Sequence, residues 1–466
     1  MKVYHLLLAG VSVASAIVVP NEQVLGDPAI DSDEDASSSV NLLSLFEDGI
    51  RKAINDNWNT IYDALSSGVE SDAASSDLRE VYTSTFDDAD DRWVIDDFEF
   101  DIEDNISDDG HGKRPHRSPH PSPPRHGPSN LTIYQLIERS KHTTKLAKLV
   151  DEDEALVELL NSTDANYTVF APTDYAFSKI PRHAPKPSKE LIRHVLLYHV
   201  APGLYPTARI FHSHTLPTLF NESSLGKDLP QRVVVRAGLR GLKVNFHSRI
   251  VASNIPAVNG IVHGVDTILL PPPRTSTILN LLPTEFSTFT LGLTKTDLLP
   301  LPGHKGGTIF APLNSAFRKL GPRVNAFLFS EHGKKYLRAL LKYHLSQNQT
   351  LYSDVLYMED GKTKPFGPRD FAHIDLPTLL QPRHLAIDIA RFGPWAGIRI
   401  NGFQHVTFED GIASDGVLQV VRRVLIPPKQ DAHVDVGEGD WVDDVEGELS
   451  VEDLVERLDL SRLVDD

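Results

Sequence analysis

Two Tyr-His dipeptides, Tyr198-His199 and Tyr343-His344, are the residues of this 466-residue chain whose types most invite a chemical role. Each closes an apolar-faced segment that reads as a helix. An imidazole in that position usually satisfies local backbone from inside a domain. Four further histidines, His111, His116, His120 and His126, raise a metal-site reading. They sit among prolines that exclude helix and central strand, and a stiff extended linker does not bring four imidazoles to one ion. Asp151-Glu152-Asp153-Glu154 offers paired acids, read here as a solvated helix face. Asp87-Asp88 and Asp96-Asp97 could hold calcium weakly but lack the glycine and terminal glutamate of an EF-hand loop. No Gly-x-Ser-x-Gly elbow, His-Glu-x-x-His, phosphate loop or Gly-x-Gly-x-x-Gly occurs. Cysteine is absent, which removes thiolate nucleophiles, thiolate metal sites and disulfides. The expectation is a binding protein rather than an enzyme, with no catalytic residue, cofactor or metal; the alternative is a soluble ligand carrier or enzyme using a pocket between helices and sheet that no motif marks.

The chain begins as a secreted protein would. Lys2 precedes the apolar run Leu6–Val13, too short to span a bilayer, and Ala14-Ser15-Ala16 fits a cleavage site, so residues 1–16 read as a signal peptide. No later run is long enough for a membrane helix, and the charged C-terminus lacks the apolar tail of a GPI signal. Six Asn-x-Ser/Thr sequons, at Asn105, Asn130, Asn161, Asn166, Asn221 and Asn348, suit a glycoprotein with those asparagines on exposed loops.

The net charge of −18 is unevenly spread. Residues 17–130 carry 26 acidic and 8 basic side chains, and residues 429–466 carry 14 and 3, whereas residues 131–428 carry 24 and 34. A basic body therefore lies between acidic arms. Such arms are solvated spacers, or they lie on the body and compete with an anionic ligand such as a wall polysaccharide. In a secreted chain, anionic glycans are the expected polyanion rather than nucleic acid. Within the arm of residues 17–110, apolar residues from Leu42 to Leu65 recur every three or four positions, predicting an amphipathic helix near 40–66. Residues 86–109 alternate acids with Trp93, Ile95, Phe98, Phe100 and Ile102 and are too charged to fold alone. Residues 111–129 form the Pro/His-rich linker. In the acidic tail of residues 429–466, Leu449, Val451, Leu454, Val455, Leu458 and Leu460 predict a short docking helix.

The body repeats itself. Tyr167-Thr-Val-Phe-Ala-Pro-Thr-Asp-Tyr-Ala-Phe177 returns as Gly307-Thr-Ile-Phe-Ala-Pro-Leu-Asn-Ser-Ala-Phe317, the segment ending in Tyr198-His199 returns ahead of Tyr343-His344, and Val265–Pro272 returns as Val421–Pro428. The first landmark predicts a short strand ended by proline, then a helix capped by Asp174 or Asn314 with Phe177 or Phe317 on its buried face. The third predicts a buried strand closed by Pro-Pro. Val233–Val235, Leu242–Phe246 and Ile250-Val251 predict a meander, with a hairpin turn at Asn259-Gly260. Helices lead and strands follow in each copy, so the fold class is α+β.

These landmarks resemble the fasciclin (FAS1) domain: Tyr167–Phe177 is similar to its first block, Tyr198-His199 to its central Tyr-His pair, and Asn259-Gly260 through Leu270 to its last block. The resemblance spans residues 130–273 and 274–428, nearly two thirds of the chain. The tandem behind a signal peptide is similar to fungal secreted fasciclin-domain proteins. It implies two β-sandwich domains with helices packed on one side. It also implies non-catalytic cell adhesion, or association with cell-surface or wall glycans or proteins, in the wall or medium or alternatively in the vacuole lumen. By the same resemblance Tyr198, His199, Tyr343 and His344 would be adhesion contacts, an alternative to their burial inside each domain. The second copy departs in Leu313 for Thr173, in Asp415-Gly416 for Asn259-Gly260, and in a stretch from Met358 to Asp370 without counterpart. These differences put a shared ligand surface in doubt.

Overall fold

A computed structural model describes residues 130–180, 187–238, 241–299, 305–392, 395–428 and 449–458. The signal peptide, the acidic arm with its helix near 40–66, the Pro/His linker, Asn105 and most of the acidic tail lie outside these residues.

The first domain opens with three helices, α1 (Ile133–Arg139), α2 (Thr144–Asp151) and α3 (Glu154–Asn161). Thr132 starts α1 with a reciprocal capping box, its hydroxyl accepting from Gln135 N–H while the Gln135 side chain accepts from Thr132 N–H. Asp153 caps α3 and also pairs with Arg193 at 2.7 Å, so one of the four consecutive acids has a structural task. Ile133, Ile137, Leu146, Val150, Leu156 and Leu160, spaced as helix faces require, share one core with Val169 and Val262.

β1 (Tyr167–Pro172), α4 (Asp174–Ser178), α5 (Lys189–Tyr198), β2 (Val200–Pro202) and α6 (Thr207–Phe211) follow. An antiparallel meander then runs through β3 (Thr215–Asn221), β4 (Pro230–Gly238), β5 (Gly241–Val244), β6 (Ser248–Ala257) and β7 (Gly260–Val265). β1 inserts between β2 and β7, parallel to β7, giving the order β2-β1-β7-β6-β5-β4-β3. The edge strands β2 and β3 come back alongside each other. The folded sheet thereby encloses a second core of Phe170, Tyr198, Leu216, Val233, Val235, Val244, Val265 and Leu269. A Cβ on Gly260 would lie 2.0 Å from the Tyr167 carbonyl oxygen. The close approach of the first and last strands is what requires glycine there.

The second domain repeats this order with α7 (Thr275–Leu281), α8 (Pro283–Lys295), β8 (Gly307–Pro312), α9 (Asn314–Lys319), α10 (Gly321–Leu328), α11 (Lys334–Tyr343) and β9 (Leu345–Gln347). Its meander is β13 (Phe371–Pro377), β14 (His384–Phe392), β15 (Trp395–Ile400), β16 (Gln404–Ala413) and β17 (Gly416–Val421). The sheet order β13-β14-β15-β16-β17-β8-β9 matches the first domain strand for strand, with β17 parallel to β8. The chain is α+β, two folded sheets with packed helices, as the sequence predicts. Among the described residues, the second domain alone has an additional three-stranded sheet of β10 (Gln349–Leu351), β11 (Val355–Met358) and β12 (Thr363–Pro365). The final helix, α12 (Val451–Arg457), is capped by Ser450 and buries Leu454 and Leu458, touching α10.

Two local expectations change. Asp174 and Asn314 do not cap their own helices, because the extended backbone a cap requires belongs to the preceding Thr173 and Leu313. The Asp174 carboxylate instead accepts from Thr144 N–H, Thr144 Oγ1 and Lys145 N–H at the start of α2. Asn314 accepts from Thr288 N–H and donates to the Pro283 and Thr284 carbonyls in α8. The segments before Pro-Pro also leave the ladder early, at Val265 and Val421, although Leu269 and Leu425 remain buried.

Candidate functional site

Each Tyr-His pair is placed by the last turn of a helix. α5 ends at Tyr198 and α11 at Tyr343, with His199 and His344 as the C-caps. All four side chains are buried. His199 Nδ1 donates to the Val195 carbonyl at 2.7 Å, and Nε2 accepts from Leu269 N–H at 2.9 Å. His344 does the same with the Leu340 carbonyl at 2.8 Å and Leu425 N–H at 2.9 Å. The bonds require one neutral tautomer, and burial lowers both imidazoles to about 4. Tyr198 Oη donates to the Arg232 carbonyl at 2.8 Å and accepts from Asn245 Nδ2 at 2.9 Å. Tyr343 repeats this with the His384 carbonyl at 3.4 Å and Asn401 Nδ2 at 3.1 Å. The pair is thus a clasp joining the helix, the meander and the segment after the last strand. A partner approaching from outside finds none of these polar atoms exposed.

The second structured cluster lies between the domains and was not singled out from sequence. Asp354, in the turn between β10 and β11, reaches into the first domain, where its carboxylate accepts from Thr215 N–H at 3.0 Å and Thr215 Oγ1 at 2.5 Å. Arg232 lies 3.4 Å from Asp354, donates to Tyr357 Oη at 2.9 Å and to Thr215 Oγ1 at 2.6 Å, and sits over the rings of Tyr352 and Tyr357. Burial works against its charge, but the Asp354 carboxylate and Tyr357 outweigh that and hold the guanidinium above its ordinary value. Around this centre, Arg236 donates to the Glu409 carbonyl, Gln231 to the Ala413 carbonyl, and Lys227 N–H to the Glu359 carbonyl. Phe246 packs on Phe408 with centroids 5.0 Å apart. The turn and strand just ahead of the Met358–Asp370 stretch, through Tyr352, Asp354 and Tyr357, therefore form an interdomain latch to which that stretch adds the Glu359 carbonyl. The sequence signal was the insertion beside Tyr352 and Tyr357, but length alone did not say what it would touch.

Among the described residues one group, His214, Glu409 and Asp410, brings three possible metal-ligand atoms within 4.8 Å. Both Asp410 oxygens already accept from Ser353, through N–H at 2.8 Å and Oγ at 2.5 Å. Arg236 stands 4.0 Å from Asp410 and 3.3 Å from His214 Nδ1. Burial pushes Glu409 up to about 8 and His214 down to about 4. The guanidinium occupies the place of positive charge, and an ion would have to compete with it.

The sequon asparagines Asn130, Asn161, Asn166, Asn221 and Asn348 are all exposed. Asn161 ends α3 and accepts from Thr132 Oγ1 at 2.7 Å, while Thr350 of the Asn348 sequon is buried and accepts from Gly307 N–H.

The fasciclin domain model matches residues 141–271 and 284–427. Aurofusarin biosynthesis cluster protein S of Gibberella zeae is 30% identical over 364 residues, covering 72% of this chain and 88% of that protein. Human periostin is 24% identical over 56% of this chain and 28% of its own length. Cell surface glycolipoprotein MPB83 of Mycobacterium bovis is 32% identical over 28% of this chain and 55% of its own length. The matched stretches take in more than half of the sequence, each spanning one helix-then-meander unit, and the chain belongs to the fasciclin domain family.

Proposed function

We propose that this chain is a non-catalytic interaction protein of the secretory pathway, working in cell adhesion or in association with cell-surface or wall glycans or proteins. The supporting observation is the tandem of family domains: its two units are locked into one body, and its most reactive-looking side chains are spent on internal bonds. MPB83, by its printed name, is a cell-surface protein, which supports the same placement here. Among the described residues no helix is long and apolar enough to cross a membrane. On this reading residues 1–16 are removed, exposed sequons carry glycans, and Tyr198, His199, Tyr343 and His344 sustain the domains from within. The test is localisation of the tagged full chain together with its retention on isolated walls. Wall or medium with saturable retention supports the proposal, and a purely vacuolar lumenal signal without wall retention sinks it.

A second reading comes from the broad match to a protein whose name assigns it to a biosynthesis cluster. The chain would then assist a biosynthetic system as an accessory component. A changed metabolite profile in cells lacking the chain, with unchanged adhesion, would favour that reading.

A further inference from the structure

The two clasps give a residue-by-residue correspondence between the domains. Tyr198 bonds the Arg232 carbonyl and Asn245, and Tyr343 bonds the His384 carbonyl and Asn401. Arg232 thus corresponds to His384. The registers then pair Thr215↔Val234 with Asp375↔Ala386, and Arg236↔Lys243 with Asp388↔Arg399. In the first domain this outer sheet face lies under the latch, where Thr215, Arg232 and Val234 are buried. Among the described residues the same face of the second domain has no such cover, and His384, Asp375 and His373 are exposed.

Towards the other end of those strands the open face becomes aromatic. Phe371, Phe392 and Trp395 are 53%, 43% and 61% exposed. Phe371 pairs with Ala390, Ala390 with Gly397, and Phe392 with Trp395. Cross-strand partners and alternate residues share a face, so the three rings stand on one side around a small floor. A Cβ built on Gly397 would meet nothing within 4 Å. About 7 Å from Phe371 along the strands the same face carries His373 and Asp388, with His373 Nδ1 2.6 Å from Asp388, and about 13 Å along it carries Asp375.

We infer that this face binds a neutral polysaccharide chain. Aromatic faces are attractive to the weakly positive C–H surface of a sugar ring, and carboxylates and imidazoles accept and donate to its hydroxyls. A protein using the chemistry of the latch would look for Arg232, Val234 and Arg236. It would find His384, Ala386 and Asp388 instead. Asp375 and Asp388 stand beside Arg399, the cross-strand partner of Asp388, so the face presents no excess of either sign to an ionic polymer and the ligand is uncharged. The inference rests on the adhesion reading and names its ligand class.

The experiment is affinity electrophoresis of the mature full chain in gels containing neutral β-glucan, mannan or chitin oligomers, with polygalacturonate as the anionic comparison. Retardation by at least one neutral glycan is expected, weakened about tenfold by Trp395→Ala and lost in Trp395→Ala/Phe371→Ala. Tyr175→Ala, which removes an exposed ring of the first domain, leaves it unchanged. Unaltered thermal melting of the variants excludes misfolding. No retardation by any neutral glycan, preference for polygalacturonate, or equal retardation of the double variant would overturn the inference. Wall retention separates the two levels. If the double variant stays on walls as well as the parent, this face is not the site but adhesion stands. If the parent itself is not retained, the adhesion reading fails. Retention that resists glycosidase treatment of the wall yet is lost in the double variant makes the ligand a protein and also overturns the inference.

Discussion

The two domains share a strand order, two clasps and a first-to-last strand closure, yet one sheet face is interior in the first and surface in the second. Thr215 and Arg232 are held by Asp354 and Tyr357 of the β10–β12 segment, whereas Asp375 and His384 at the corresponding positions have no such cover among the described residues. The shared internal bonds make the fold, and the unshared face decides what each copy can touch. The two copies share their internal bonds and differ on the outer face, where Thr215, Arg232 and Arg236 of the first stand against Asp375, His384 and Asp388 of the second.

Removing one half of the latch should break this comparison most severely. Asp354→Ala leaves Arg232 buried without its carboxylate and is expected to cost about 3–5 kcal/mol, splitting calorimetric unfolding into two transitions. Arg232→Met added to it should recover much of the loss, since the buried charge is then gone. A single unaltered transition for Asp354→Ala would show that the domains are coupled by other contacts.

The clasps should behave alike. His199→Ala and His344→Ala are each expected to cost about 2–4 kcal/mol in urea unfolding, and a large inequality would mean that the domains do not use the pair equivalently. Their pH dependence has a defined sign. The folded imidazoles stay neutral down to about 4, whereas an unfolded histidine protonates near 6.5. Between those values the unfolded state binds more protons, so the stabilisation is complete above about pH 6.5 and is lost as pH falls to 4, by about 3 kcal/mol per clasp. Glu409, raised to about 8, works in the opposite sense between its unfolded value and 8. The difference between the parent and the double histidine variant isolates the clasps.

The smallest effect concerns the β-hairpin that ends each meander. Asn259 accepts from Ile133 N–H and donates to the Leu160 and Ser162 carbonyls, whereas Asp415 accepts from Thr275 N–H. Asn259→Ala should therefore cost about 2–3 kcal/mol and Asp415→Ala about 1–2 kcal/mol, measured as midpoint shifts in urea. Equal shifts would remove this distinction.

The duplication, the α+β class and the helix-before-meander order were legible because apolar spacing and turn residues act locally. Burial of the Tyr-His pairs could be framed as one of two readings, but deciding it needs Leu269 and Leu425, many residues away, to supply the second hydrogen bond. Asp174 misled because a capping side chain was assigned to the nearest helix, when the backbone turned it towards an earlier one. Phe371, Phe392 and Trp395 carry no mark in sequence that separates them from core aromatics. Strand register alone puts them on the face opposite Ile387, Ile389 and Ile398.

The parallel pairing of β1 with β7 and of β8 with β17 has a consequence for biogenesis. Thr173 reaches Val265, 92 residues on, and Arg232 waits a further stretch for Asp354, 122 residues beyond it. β7 and β17, the last strands of each sheet to be synthesised, gain their hairpin pairing locally, but their parallel pairing with β1 and β8 carries the loop-closure entropy of the whole domain. A nascent first domain remains open until Val265 has emerged. Its arginine-bearing face then stays bare until the following domain is more than half made, a window in which that surface depends on the folding machinery of its compartment rather than on its own partner.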